Sequence, residues 1–331
     1  MKKLVVGLCV LTALCILGLF ALRCGGAEQG PIEVPPAAVP GGAGTWEAVQ
    51  AAFALRGPSS HRDILREDRP PDLLLLTSWQ QDAEALAALE AAMAGGALSL
   101  PVVEGVEVGR PDMAPFVQLS RASQLKGWEL VAVDSEAAVD AVLEPARWGV
   151  LLKDADGDLI SFIGGVSLID SSLDQLDLML DLLSGDQAAQ RRALEALQAL
   201  QARRAGPRAM AVECNGLDAY YGDVEAMTSG DGAWRQVRFL YDQDATVAWG
   251  REACRARIEQ YEKPWGQRSP IVLESRWEDA GPLRYVHNPI GRFAIDRQVD
   301  YDRIIEGEDL VFAKRADLIA MLSARLGEPV Q

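Results

Sequence analysis

The chain has 331 residues, 49% of them apolar and 24% charged, with a formal net charge of −16. That apolar share is ordinary for a folded protein and excludes a chain left disordered for want of core material. The acidic balance repels phosphate backbones, so nucleic acid is not expected as a partner.

Leu4 to Leu22 runs nineteen residues without a charge, preceded by Lys2 and Lys3. As a helix it spans about 29 Å, close to the roughly 30 Å hydrocarbon core of a bilayer. It exceeds the roughly 7–15 apolar residues of a cleaved secretory signal. Residues 1–24 are therefore read as a transmembrane signal-anchor that meets the lipid bilayer through residues 4–22. Cleavage before Glu28, with Gly25 and Ala27 as the small residues, is the competing reading. Cys24 stands where a bacterial lipoprotein carries its acyl group, but Arg23 occupies the place of the small residue that such processing needs. After Arg23 no Lys or Arg follows until Arg56, so the positive-inside rule keeps the N-terminus in the cytoplasm. The excess of 26 Arg over 6 Lys points to a GC-rich bacterial source. The expected location is thus a bacterial inner membrane, crossed once, with the C-terminal part in the periplasm. Without Lys2, Lys3 and Arg23 that part keeps 29 basic and 48 acidic residues, a charge of about −19.

Residues 25–45 read as a linker, with six glycines and four prolines among twenty-one positions. Such a stretch buries too little apolar area to fold and extends at about 3.1 Å per residue. Residues 46–331 form the exported domain, with a possible subdivision near residue 206. Its expected class is mainly α, a helical ectodomain with one small β-hairpin.

Thr77-Ser78 opens and Gly95-Gly96 closes a helix with Trp79, Ala83, Leu86 and Met93 on one face. Trp148 to Lys153 and Asp158 to Ile163 flank Asp154-Ala-Asp-Gly157 and read as the β-hairpin. Leu173, Leu176, Leu180 and Leu183 recur at helical spacing, opposite Asp174, Asp177 and Asp181. Gly185 ends that helix, and Asp186 caps a second that runs to about Arg204 with Ala193, Leu194 and Leu197 inward. Gly206-Pro207 stops it, and the pair forms an antiparallel helical hairpin. A helix over Ala245 to Glu262 is expected despite Gly250. The last helix carries Phe312, Ala316, Ile319 and Leu326. Pro101 to Val108 and Ile271 to Glu274 are candidate short strands.

Chemistry leaves few marks. Cys214 and Cys254, the two cysteines well clear of the apolar segment, are a candidate disulfide that suits an oxidising compartment. Two buried thiols that never meet are the alternative. Asp154, Asp156 and Asp158 alternate like calcium ligands. Leu159 and Gly165, however, stand where such a loop needs glycine and a bidentate glutamate. No metal and no cofactor is expected. His61 lies in Ser59-Ser60-His61-Arg62-Asp63, whose letters match a catalytic triad, but neighbouring residues do not converge their side chains in triad geometry.

Tyr285-Val-His-Asn-Pro-Ile-Gly-Arg-Phe293 is the most distinctive stretch. With it the chain resembles uncharacterised bacterial membrane-anchored envelope proteins that carry Asn-Pro-(Val/Ile)-Gly-(Lys/Arg) shortly before the C-terminus. Those proteins also have an N-terminal membrane segment and a stretch like Gly164-Gly165-Val166-Ser167-Leu168-Ile169 here. The likeness covers about a third of the chain and implies the location, not a mechanism. His287, Asn288 and Arg292 are the candidate catalytic positions if this turn carries chemistry, against a turn that only packs the last helix. The expectation is a tethered binding or scaffolding protein, with other envelope proteins as possible partners. The alternative is a tethered carboxylate-dependent hydrolase.

Overall fold

The computed structural model describes residues 30–35, 45–58, 61, 64–65, 70–95, 98–100, 112–155, 157, 159–200, 203–222, 243–263, 267–269 and 301–329. Among these residues the protein is helical and contains no strand. In chain order the α-helices are α1 (Thr45–Ala54), α2 (Ala83–Met93), α3 (Ala114–Leu130), α4 (Ser135–Asp154), α5 (Leu159–Leu182), α6 (Gln187–Ala199), α7 (Gly206–Gly222), α8 (Gln243–Glu262) and α9 (Tyr301–Leu326). A 3-10 helix, Leu73–Asp82, runs straight into α2. No described helix is long and apolar enough to cross a membrane. The anchor segment 4–22 and the strand candidates 101–108 and 271–274 lie outside the described residues.

The chain divides into two compact units, and the cut falls within α7, between Ala209 and Met210. The larger unit is built on α3, α4 and α5. Trp148, Leu152 and Leu143 of α4 are buried with Phe116, Leu119 and Leu125 of α3 and Leu173 and Leu176 of α5. At the α1 side, Phe53 meets Phe116 edge-on with ring centres 4.8 Å apart. Such a pair adds to simple burial because the positive ring edge faces the negative ring face.

Glycine sets how closely the central helices approach. A Cβ added at Gly149 of α4 would lie 2.5 Å from the carbonyl oxygen of Gly165 in α5, and one at Gly165 would lie 2.5 Å from that of Gly149. The helices touch backbone to backbone there, which no residue with a side chain permits. Gly165 belongs to the Gly-Gly-x-Ser-Leu-Ile stretch, so that stretch has a packing role. Buried polar bonds lie across α3 and α5: Trp128 Nε1 donates to Gln175 Oε1 at 2.8 Å, and Gln124 Nε2 donates to Ser171 Oγ at 3.1 Å.

The expected β-hairpin is not there. Trp148 to Lys153 lies in the last two turns of α4, and Leu159 to Ile163 opens α5. The turn residues join two helices as readily as two strands. What decides is the burial of Trp148 and Leu152 one turn apart, a helical spacing hidden inside a short apolar run. Pro145 sits inside α4 and was no barrier to it.

The hairpin of α5 and α6 matches its expectation in the residues that matter. Leu173, Leu176, Leu180 and Leu183 are buried, as are Ala193, Leu194 and Leu197. However, α6 ends at Ala199 rather than near Arg204, and Gly206-Pro207 opens α7 instead of only stopping α6. Proline is favoured in a first helical turn, where its missing N–H costs nothing. In α9 the helix holds but its inner face differs. Val311, Leu318, Ile319 and Leu322 are buried, while Ala316 is exposed.

Asp186 caps α6 by accepting from the backbone N–H groups of Ala188 and Ala189, each at 3.1 Å. The Ser135 hydroxyl donates to its other oxygen at 2.5 Å. The Ser135 bond, followed by the Ala189 N–H, holds this carboxyl below its ordinary value of 3.8. A carboxyl lowered on folding stabilises above its unfolded value and loses that contribution as pH falls through the folded value. Asp186→Ala is therefore expected to lower the melting temperature at neutral pH. Its gap from wild type should narrow below about pH 3.8 in a pH series of thermal melts. A gap independent of pH would assign the effect to the backbone alone.

Cations on α9 hold the ends of the α5–α6 hairpin. Arg315 Nε donates to the carbonyl of Leu197 at 2.7 Å, and Arg325 reaches that of Leu180 at 3.3 Å. A cation suits a helix C-terminus, where carbonyls lack partners and the helix dipole is negative. Lys314 bonds Asp170 at 2.9 Å and also Asp174. Burial pulls its ammonium pKa down, but these two carboxylates outweigh burial and hold it above the ordinary lysine value.

In the smaller unit a disulfide joins Cys214 of α7 to Cys254 of α8. Part of the expected linker is docked here. Ile32 is buried, its N–H donates to Asn215 Oδ1 at 3.2 Å, and its carbonyl accepts from Asn215 Nδ2 at 2.9 Å. One side-chain amide thus satisfies both backbone groups of a residue that low apolar content alone would leave in water. Arg255 of α8 donates to the carbonyl of Gly30 at 2.5 Å.

Candidate functional site

Three of the polar clusters among the described residues of the larger unit are candidate sites. The first is a cleft of about 340 Å³ floored by one stripe of α4. Glu144, Arg147, Trp148, Leu151 and Asp154 recur every three or four residues along it, and α4 presents them on one side. Met93 and Ala94 at the end of α2, Leu98 beyond it, and Ala199 and Leu200 at the end of α6 wall it. Apolar walls with charges only along one edge are the usual chemistry of a small-ligand pocket.

Each charge on this edge is held by a neighbour. Glu144 accepts from Arg147 at 2.6 Å and from Trp148 Nε1 at 3.1 Å. Arg147 also reaches Asp140 at 3.1 Å, and both oxygens of Asp140 accept from Arg192 of α6, Oδ1 from Nε at 3.0 Å and Oδ2 from Nη2 at 2.9 Å. The hydrogen bond to Asp140 first, and the charge of that carboxylate second, hold Arg192 above its ordinary value against the opposing pull of burial. The edge is therefore rigid and close to neutral.

Glu144 and Asp154 are the two carboxylates of the cleft. Ten residues of helix separate them, about 15 Å along the axis. Paired-carboxylate hydrolysis needs roughly 5–9.5 Å between the groups. This pair does not supply that geometry.

The second place is a buried ion cluster. The Lys153 ammonium, with no solvent exposure, lies 2.9 Å from Asp154 and 3.1 Å from Glu308 of α9. It donates to the carbonyl of Arg203 and sits 5.5 Å above the Phe312 ring. Glu308 in turn accepts from the N–H groups of Ala205 and Gly206, at 3.0 and 3.4 Å, at the start of α7. Every member has a partner, with Asp154 bordering the α4 cleft, and the cluster ties helices together.

The third place is His61. Its Nε2 lies 2.6 Å from Asp82 Oδ2 with both side chains fully buried, and Ser78 Oγ lies 3.4 Å from its Nδ1. Asp82 Oδ1 accepts from the Gly57 N–H at 2.7 Å and from Gln118 Nε2 at 3.2 Å. His61 itself has φ of 52°, in the left-handed region. Asp82 directly precedes α2, where an aspartate commonly caps, yet its side chain makes no bond to that helix. The carboxylate is spent on the loop and the imidazole instead.

The candidates from the sequence fall differently. Cys214 and Cys254 are joined, whereas His287, Asn288 and Arg292 lie outside the described residues. Of the triplet of aspartates, Asp154 is described and pairs with Lys153. No group of metal-ligating side chains occurs among the described residues. Ser78 and Asp82 were missed. They stand one helical turn apart, and one of only two histidines faces them from seventeen and twenty-one residues earlier. A one-turn Ser/Asp pair is too common to be noticed without that histidine in space. No protein-family model, curated protein or solved structure matches the chain.

Proposed function

We propose that this is a membrane-tethered binding protein. Its helical body would take up an apolar group of an envelope component, and it would do no chemistry in the cleft that receives that group. The α4 cleft carries this reading. Its volume of about 340 Å³ fits a large apolar side chain or a short acyl chain, and its edge charges are already paired. The apolar run at residues 4–22 and the resemblance to membrane-anchored envelope proteins support a tether. The carboxylate-hydrolase alternative is not favoured, because the two cleft carboxylates stand too far apart and are held by Trp148, Arg147 and Lys153.

One fluorescence experiment tests the cleft. N-phenyl-1-naphthylamine, a neutral apolar dye, is expected to brighten on binding the purified protein. Leu151→Trp, which fills the cleft, should cut that signal at least tenfold, and Leu182→Trp at an exposed site on α5 should leave it unchanged. Equal binding by all three proteins would sink the reading. In the same preparations, the full chain should sediment with membranes and a chain lacking residues 1–24 should not.

A further inference from the structure

We propose that Ser78 is an activated nucleophile, with His61 as its general base and Asp82 as the group that positions that base. The proposal stands apart from the binding cleft and shares no residue with it.

The argument begins with the tautomer. A carboxylate accepts but cannot donate, so the 2.6 Å contact places the imidazole proton on Nε2, facing Asp82 Oδ2. Nδ1 is then the basic nitrogen, and it faces the Ser78 hydroxyl at 3.4 Å. Nucleophile, base and orienter stand in sequence as in a serine triad, with the two ring nitrogens exchanged: Nε2 meets the carboxylate and Nδ1 the hydroxyl. The spacing to Ser78 belongs to the ligand-free protein, where such bonds are commonly long and close up around substrate.

Burial divides in the same sense. The side chains of His61 and Asp82 have no solvent exposure, whereas Ser78 on the 3-10 helix is partly exposed. A polar group buried only for stability gains nothing from a reactive partner at the surface. The second oxygen of Asp82 is fixed by Gly57 N–H and Gln118 Nε2, and Gln118 also donates to the Gly57 carbonyl at 2.9 Å. The carboxylate is therefore locked in its orientation towards the imidazole.

A hydroxyl beside a basic imidazole nitrogen suits an acyl ester, whose alcohol leaves more readily than the amine of an amide. In the step itself, Ser78 Oγ forms a bond to the acyl carbon as its proton passes to His61 Nδ1. The bond from that carbon to the leaving oxygen then breaks, and the leaving alcohol takes the proton from Nδ1. Ser78 is left as an ester, with the base neutral again and no redox change.

A fluorophosphonate probe applied to the full chain tests this. The probe replaces its fluoride with Ser78 Oγ, and peptide mass spectrometry should find the adduct on Ser78. Ser78→Ala should remove the labelling, as should unfolding of the wild type in guanidinium chloride. Asp82→Asn should slow it at least tenfold, compared only if circular dichroism shows its helices intact. If it does not fold, the loss of labelling on unfolding the wild type serves as the test of the relay. The proposal is overturned by an unmodified Ser78 in the folded wild type. Equal labelling in folded and unfolded protein, or in a folded Asp82→Asn variant, would overturn it as well.

Discussion

Lys153→Met is expected to cost about 3–5 kcal/mol of folding stability, read as a shift of the urea midpoint at unchanged slope. Methionine fills nearly the same volume along the aliphatic stem, so the loss is electrostatic. Asp154 and Glu308, with side chains only 4% and 3% exposed, would remain buried with their cation gone. Glu308 keeps its bonds to the N–H groups of Ala205 and Gly206, which hold part of its charge at the start of α7. The sharper measurement is a cycle with Glu308→Gln. If the pair interacts as its 3.1 Å separation implies, the double variant should be less damaged than the sum of the singles. Additive losses would mean that Lys153 acts through its other contacts, Asp154, the Arg203 carbonyl and the Phe312 ring.

The second large effect is expected at Gly165. Alanine there places a methyl 2.5 Å from the Gly149 carbonyl oxygen and 2.8 Å from the Lys153 backbone nitrogen. Both are main-chain atoms of α4 and cannot rotate away, so the helices must separate or distort. Overpacking of this kind costs about 1–3 kcal/mol, and in an open helix the same exchange would instead gain about 1 kcal/mol. Gly216 of α7 provides that contrast, since a Cβ there meets nothing within 4 Å. The two alanine variants should therefore move the melting temperature in opposite directions. A neutral Gly165→Ala would show that the backbone contact between α4 and α5 does not set their spacing.

Much of the helical architecture was legible because long apolar stripes with caps have a physical period. The α5–α6 hairpin was readable from its leucines and from Asp186, and α8 survived Gly250 because its neighbours are buried around it. The short elements misled. Trp148 to Lys153 is six residues of mostly apolar sequence, and such a run fits a strand or a buried helix equally until its partners are known. The inner face of α9 was misplaced by part of a turn, since Ala316 adds little to either face. Contacts between distant segments were not readable at all. Asp82 could have been a helix cap, and only in space does its carboxylate turn to His61. The Gly149–Gly165 approach likewise exists only where two helices cross.

The left-handed backbone at His61 narrows what evolution could place there. Histidine, asparagine, aspartate and glycine tolerate φ of 52°, while most other residues pay about 1–2 kcal/mol for it. A descendant chain with asparagine or glycine at this position would keep the turn and lose the base. The loop's shape and the site's reactivity can therefore be lost separately. Natural variants that separate them would show which of the two selection has held.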